Sequence, residues 1–275
     1  MANQERPRTT SSGSKTTRWH RGIILALAGA ACVIASPQIR PVRAENALTL
    51  AAAMSLRHVM PPLTRAFRDQ DTDTGAAVHV NYGASGNLRK QVEGGAPVDV
   101  VVFADAVSVD ALIANGDVDT ATRHVVATNT LVLIGAPDAR PLTFETLADT
   151  REEELISIGE PGAVPAGRYA RSALRNLGVW EALQGRIVFG GHVGAVLSYV
   201  RRGEVAAAIV YATETREVTD VKVLDRARSP WTPTPEIVSA VTTESTQTER
   251  SHAFVAFLRT PEARAIFTEH GFGIP

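Results

Sequence analysis

Leu155-Ile-Ser-Ile-Gly-Glu-Pro-Gly-Ala-Val-Pro-Ala166-Gly-Arg-Tyr-Ala170 runs as a short apolar strand, turns on Gly and Pro, and enters a helix near Ala166. Three other stretches share that design: Leu50-Ala-Ala-Ala-Met-Ser55-Leu, Val80-Asn-Tyr-Gly-Ala-Ser85-Gly-Asn-Leu and Phe189-Gly-Gly-His-Val193-Gly-Ala. Each is a strand ending in a small-residue turn that starts a helix. A chain built from such corners is an α/β protein.

Working outward, apolar runs at 47–52, 76–82, 98–103, 130–134, 155–158, 186–189, 207–210, 221–224 and 236–241 read as strands. Amphipathic stretches at 56–70, 88–94, 107–115, 166–177, 193–202, 246–258 and 261–269 read as helices. The alternation predicts doubly wound, parallel α/β sheets. Polar breaks at Ala127-Thr128-Asn129 and near 226–230 suggest two crossings of a hinge. The expected division is therefore a first lobe of 45–128 with 229–275 and a second lobe of 129–228.

The chain carries 28 Lys and Arg against 29 Asp and Glu, but the charge is uneven. Residues 1–44 hold seven basic residues and one acidic, leaving 21 basic and 28 acidic, a net of −7, in 45–275. An acidic body without a basic run argues against nucleic acid and against an anionic membrane surface. Arg18-Trp-His-Arg21, the apolar run 22–36 and the small residues of Val42-Arg-Ala44 compose a secretory signal peptide, 1–44. Read as a membrane anchor, the run of 15 residues falls short of the roughly 20 a span requires. Cys32 lies within it; the preceding Gly29-Ala30-Ala31 lacks the Leu of a lipoprotein site, so the exported chain is expected to contain no cysteine.

The four corners are candidate anion sites. The first N–H groups of a helix have no intrahelical partner and carry the positive end of the dipole. With small residues there, an anion can reach the backbone without any cationic side chain. Taken singly, Ser55 and Ser85 could equally be plain N-caps. Four corners at strand ends, where open α/β sheets bind ligands, favour a site. Other chemistry finds less support. Gly83-Ala-Ser-Gly-Asn-Leu-Arg-Lys90 lacks the ending of a phosphate loop, and no Gly-x-Ser-x-Gly elbow occurs. The seven His have no metal-ligand spacing; His58 and His192 read as solvated or structural imidazoles, and Glu152-Glu-Glu154 as a solvated helix face.

Ser157-Ile-Gly-Glu-Pro-Gly-Ala-Val-Pro-Ala-Gly-Arg-Tyr-Ala170, with Leu177-Gly-Val-Trp180, Gly94-Gly-Ala-Pro-Val-Asp-Val100, Ala104-Asp105 and Ala208-Ile-Val-Tyr211, resembles the periplasmic molybdate-binding proteins of ABC-type uptake systems. The resemblance covers roughly 47–275. It implies a type II periplasmic binding fold and capture of molybdate or tungstate between two lobes, without catalysis or cofactor. Family motifs place the oxyanion's donors at the Ser55 and Ser85 hydroxyls, the Ala166 and Val193 amides and the Tyr211 hydroxyl. The metal centre would be held only through its oxygens. Met54 stands where that family usually has Ala, and His192-Val193-Gly194 replaces an Asp-Val-Arg-like triplet. The implied partners are a membrane permease and its ATPase, with a monomeric receptor in the periplasm. Receptors of the same fold for another oxyanion or a small organic acid, and a secreted serine hydrolase, are the competing expectations.

Overall fold

The computed structural model describes residues 47–70 and 76–275. The segment read from the sequence as a signal peptide, Cys32 included, lies outside the described residues. Two five-stranded sheets, each with its own helices, form two lobes.

The first sheet begins with β1 (Leu48–Ala53), which leads through a 3-10 turn into α1 (Met60–Gln70). Helix α1 starts four residues later than the apolar pattern suggests, because Pro61 and Pro62 lack the N–H a helix interior needs and are tolerated only in a first turn. Next come β2 (Val78–Gly83), α2 (Ser85–Glu93), β3 (Val100–Phe103), α3 (Ala106–Asn115) and β4 (His124–Thr128). Strand β4 is missing from the sequence-based assignment, where 127–128 reads as a break.

The second sheet takes β5 (Leu131–Gly135), β6 (Ile156–Gly159), α4 (Pro165–Asn176), the short α5 (Trp180–Leu183), β7 (Ile187–Gly190), α6 (Val193–Arg201), β8 (Ala207–Tyr211) and β9 (Lys222–Arg226). The chain then returns through β10 (Glu236–Val241), α7 (Thr248–Phe257) and α8 (Pro261–Glu269).

Strand orders are β2-β1-β3-β10-β4 and β7-β6-β8-β5-β9. The sheets are mixed, which corrects the expected all-parallel arrangement. In the first, β1 pairs parallel with β2 and β3, while β10 runs antiparallel to β3 and β4. In the second, β6 pairs parallel with β7 and β8, while β5 runs antiparallel to β8 and β9. The reversed strands are the first after each crossing. A chain that has just crossed enters from the hinge end, opposite to the βαβ strands that finish there.

Strand β3 is buried along its whole length, as befits a central strand with helices on both faces. Beneath the first sheet, Phe67 of α1 meets Phe254 of α7 edge to face, centroids 5.1 Å apart. The crossings are joined at Asn129, whose N–H donates to Pro235 O at 2.8 Å and whose side chain donates to Thr213 Oγ1 at 3.0 Å. Residues 151–154 form a turn and not the expected helix face: Glu154 accepts from the Arg151 N–H and pairs with Arg140, which competes with helical hydrogen bonding.

Candidate functional site

All six parallel strands end at one place. The loops after β1, β2 and β3 meet those after β6, β7 and β8 around a small, tightly packed cavity of about 10 Å³. Ser55, Ser85, Ala166, Val193 and Tyr211 all line it, so the structure brings together every residue the sequence proposed. Four of the six corners were legible as small-residue turns. The other two are the ends of β3, at Ala104, and of β8, at Tyr211.

Neither serine is an N-cap. Ser55 sits inside the 3-10 turn, whose cap position is Ala53, and Ser85 is the first residue of α2, capped by Ala84. Their surroundings differ. Ser55 Oγ is buried and has no hydrogen-bond partner among the described residues. Ser85 Oγ, fully buried, accepts from Ala104 N–H at 3.1 Å, which leaves its own proton to donate. A buried hydroxyl without a partner costs free energy until something accepts from it.

Ala166 is the second residue of α4, after Pro165, and Val193 the first of α6. Their N–H groups fall among the orphans of a helix start, and neither donates to another group among the described residues. Gly167 lets α4 approach β6: a Cβ there would lie 1.9 Å from Gly159 O. Val193 follows His192, whose Nδ1 accepts from Ala195 N–H at 3.1 Å. His192 therefore does the capping that the departure from the Asp-containing triplet left open, and contributes no negative charge. Its accepting nitrogen is also occupied, so it is no base for Ser55.

Tyr211 is fully buried and donates to Ala104 O at 3.1 Å. Burial, reinforced by Tyr169 and Asp105, holds its phenol well above the ordinary range, so it keeps its proton. That proton goes to the opposite lobe; the hydroxyl can serve an anion only by changing partner. Ala104 is thus a residue sequence reasoning missed. Its N–H holds Ser85, its carbonyl holds Tyr211, and the only signal was its place in Ala104-Asp105.

No Lys or Arg lines the cavity among the described residues. The nearest cations in sequence, Arg57 and Arg168, are engaged elsewhere, with Glu214 and Asp105. Glu214 is buried, and burial lifts its carboxyl above the usual range while Arg57 pulls it down. His58 lies outside the cavity, 3.5 Å from Glu217, and desolvation followed by Arg57 holds its imidazole below the usual range. The cavity presents hydroxyl and amide donors to a small, apolar-walled space and suits an anion bound by dipoles.

Comparison with known proteins identifies the family. The family model for bacterial extracellular solute-binding proteins matches residues 48–273. The molybdate-binding protein ModA of Escherichia coli is 30% identical over 235 residues, covering 84% of this chain and 90% of the relative. ModA of Haemophilus influenzae is 28% identical, covering 83% and 91%. The solved periplasmic molybdate-binding protein of Azotobacter vinelandii superposes with a TM-score of 0.74 over 83% of this chain and 99% of that one, at 24% identity. The chain belongs to the bacterial extracellular solute-binding protein family.

Proposed function

We propose that this chain is the extracytoplasmic receptor of an ABC-type importer and captures molybdate or tungstate between lobes comprising 45–128 with 229–275 and 129–228. Ser55, Ser85, Ala166, Val193 and Tyr211 hold the oxyanion's oxygens, and no side chain coordinates the metal. The observation that carries this reading is the buried, unpartnered Ser55 hydroxyl in a cavity lined by free helix-start amides. The molybdate-binding relatives supply the choice of ion.

The physics fits a fully ionised tetrahedral dianion. Backbone amides only donate, so a phosphate that carries a proton would leave it facing donors, at a desolvation cost. A hydrolase is disfavoured because Ser55 has no base to activate it. The receptor works as a periplasmic monomer without cofactor or nucleic acid and hands its ion to a permease and ATPase.

Thermal unfolding with added oxyanions tests this. A ligand at about 100 times its Kd stabilises by about 2.7 kcal/mol, or about 5–10 °C for a chain of this size. Molybdate and tungstate should both produce such a shift at low concentration, with sulfate requiring far more. A shift with sulfate or a carboxylate alone would transfer the assignment to that ion. Ester hydrolysis abolished by Ser55→Ala would replace it with an enzyme.

A further inference from the structure

Two donor corners carry an arginine two residues on: Ser55-Leu56-Arg57 and Ala166-Gly167-Arg168. Both arginines turn away from the cavity and reach the other lobe. Arg57, beside β1, places Nη1 2.7 Å from Glu214 Oε2, three residues beyond Tyr211. Arg168, on α4, pairs through Nη2 with Asp105 Oδ2, the residue after Ala104, and also donates to Ser108 Oγ at 3.1 Å. The pairs have opposite polarity across the cleft: one arginine comes from each lobe and one carboxylate from each. Both carboxylate side chains are about 1% exposed, against 27% and 22% for the arginines.

Each guanidinium also ties back to its own corner. Arg57 Nη1 donates to Met54 O at 3.4 Å and Arg168 Nη1 to Pro161 O at 3.2 Å. Asp105 is anchored too, capping α3 by accepting from Ser108 N–H at 2.5 Å. Each arginine therefore links the backbone of its own donor turn to a carboxylate fastened beside the facing lobe's lining residues.

We propose that Arg57–Glu214 and Arg168–Asp105 are two clasps, formed by positioning residues that touch no ligand, which fix the register of the donor corners on closure and hold the trap shut. This rests on the oxyanion reading of the cavity. Removing one partner of a buried, hydrogen-bonded charge pair acts mainly on dissociation, whereas an exposed charge acts on association and its salt dependence. The two roles an arginine near an anion could play, clasp or attractive field, are thus separable by kinetics.

The test is stopped-flow binding of molybdate to wild-type protein, Arg57→Gln, Arg168→Gln and the double variant, at low and high salt. A second set, Arg57→Gln with Glu214→Gln and Arg168→Gln with Asp105→Asn, removes both charges of each pair, in case an unpaired buried carboxylate impairs folding; Asn retains the α3 cap. The clasp predicts dissociation at least about tenfold faster and association within about threefold of wild type in every variant. Slower association at low salt with unchanged dissociation would overturn it in favour of a steering field, and so would unchanged rates. Should wild-type protein bind neither molybdate, tungstate nor sulfate, the oxyanion reading fails by itself. Small-angle scattering of ligand-free protein then decides the clasps: a larger radius of gyration in the double variant upholds them, and an identical one overturns them.

Discussion

Ser55 and Ser85 are the same side chain in two electrostatic situations, and the difference can be measured. Ser85→Ala removes a donor to the anion and also strands the Ala104 N–H, a buried donor whose loss costs about 1–3 kcal/mol. Ligand-free stability and affinity should both fall, the latter by about 10- to 150-fold, the value of one hydrogen bond to a charged acceptor. Ser55→Ala strands nothing, because Ser55 Oγ has no partner. It should weaken molybdate by a similar factor while leaving the ligand-free unfolding midpoint unchanged or slightly raised. Calorimetric titration paired with denaturant unfolding of both variants checks this; equal stability losses would contradict the assigned hydrogen bonds.

At the scale of elements, the site depends on how closely helices approach strand ends. Gly167 sits against Gly159 O within one lobe, where a Cβ has 1.9 Å and both neighbours are backbone. Gly167→Ala should therefore lose about 1–3 kcal/mol through overpacking, more than the roughly 1 kcal/mol of helix propensity it gains. A midpoint at or above wild type would show that α4 can shift freely. The turn before β6 gives a pH-dependent prediction. Glu154 is held at about 2 by the hydrogen bond from Arg140, helped by Arg151. A carboxyl depressed in the folded state contributes stability above its unfolded value near 4.5, lost as pH falls toward about 2. The stability gap between wild type and Glu154→Gln, of order 0.2–1 kcal/mol for a surface pair, should be present near pH 6 and vanish by about pH 2.

On the scale of the whole molecule, closure is a contact between lobes that a mutation can block without damaging either. Gly86 N–H donates to Ala163 O at 2.9 Å across the cleft, and a Cβ at Gly86 would lie 2.8 Å from that oxygen and 2.9 Å from Ala163 Cα. Gly86→Ala should fold at least as well as wild type, since Ala is the better helix former on α2. It should nonetheless bind molybdate at least about tenfold more weakly, a loss of about 1.4 kcal/mol in closure. Titration and thermal unfolding of this variant together separate a closing defect from a folding defect. The ligand itself shifts the equilibrium only by its preference for the closed form, so a strained closed state appears directly in the affinity.

The amino-acid sequence alone was enough for the strand-to-helix corners, the α/β class and both hinge crossings, because apolar period and turn chemistry are local properties. Nine strands were legible; β4 was hidden because its 127–128 end reads as polar break, and the mixed direction of both sheets because strand polarity depends on where the chain goes after crossing. The five candidate site residues were named from motifs, but their meeting around one cavity was decided by tertiary structure. So were the dual role of Ala104, the commitment of the Tyr211 proton and the occupation of Arg57 and Arg168 by buried carboxylates. Those facts join residues as far as 157 apart in the chain. Hydrogen bonding and charge pairing depend on distance in space, which local patterning does not encode.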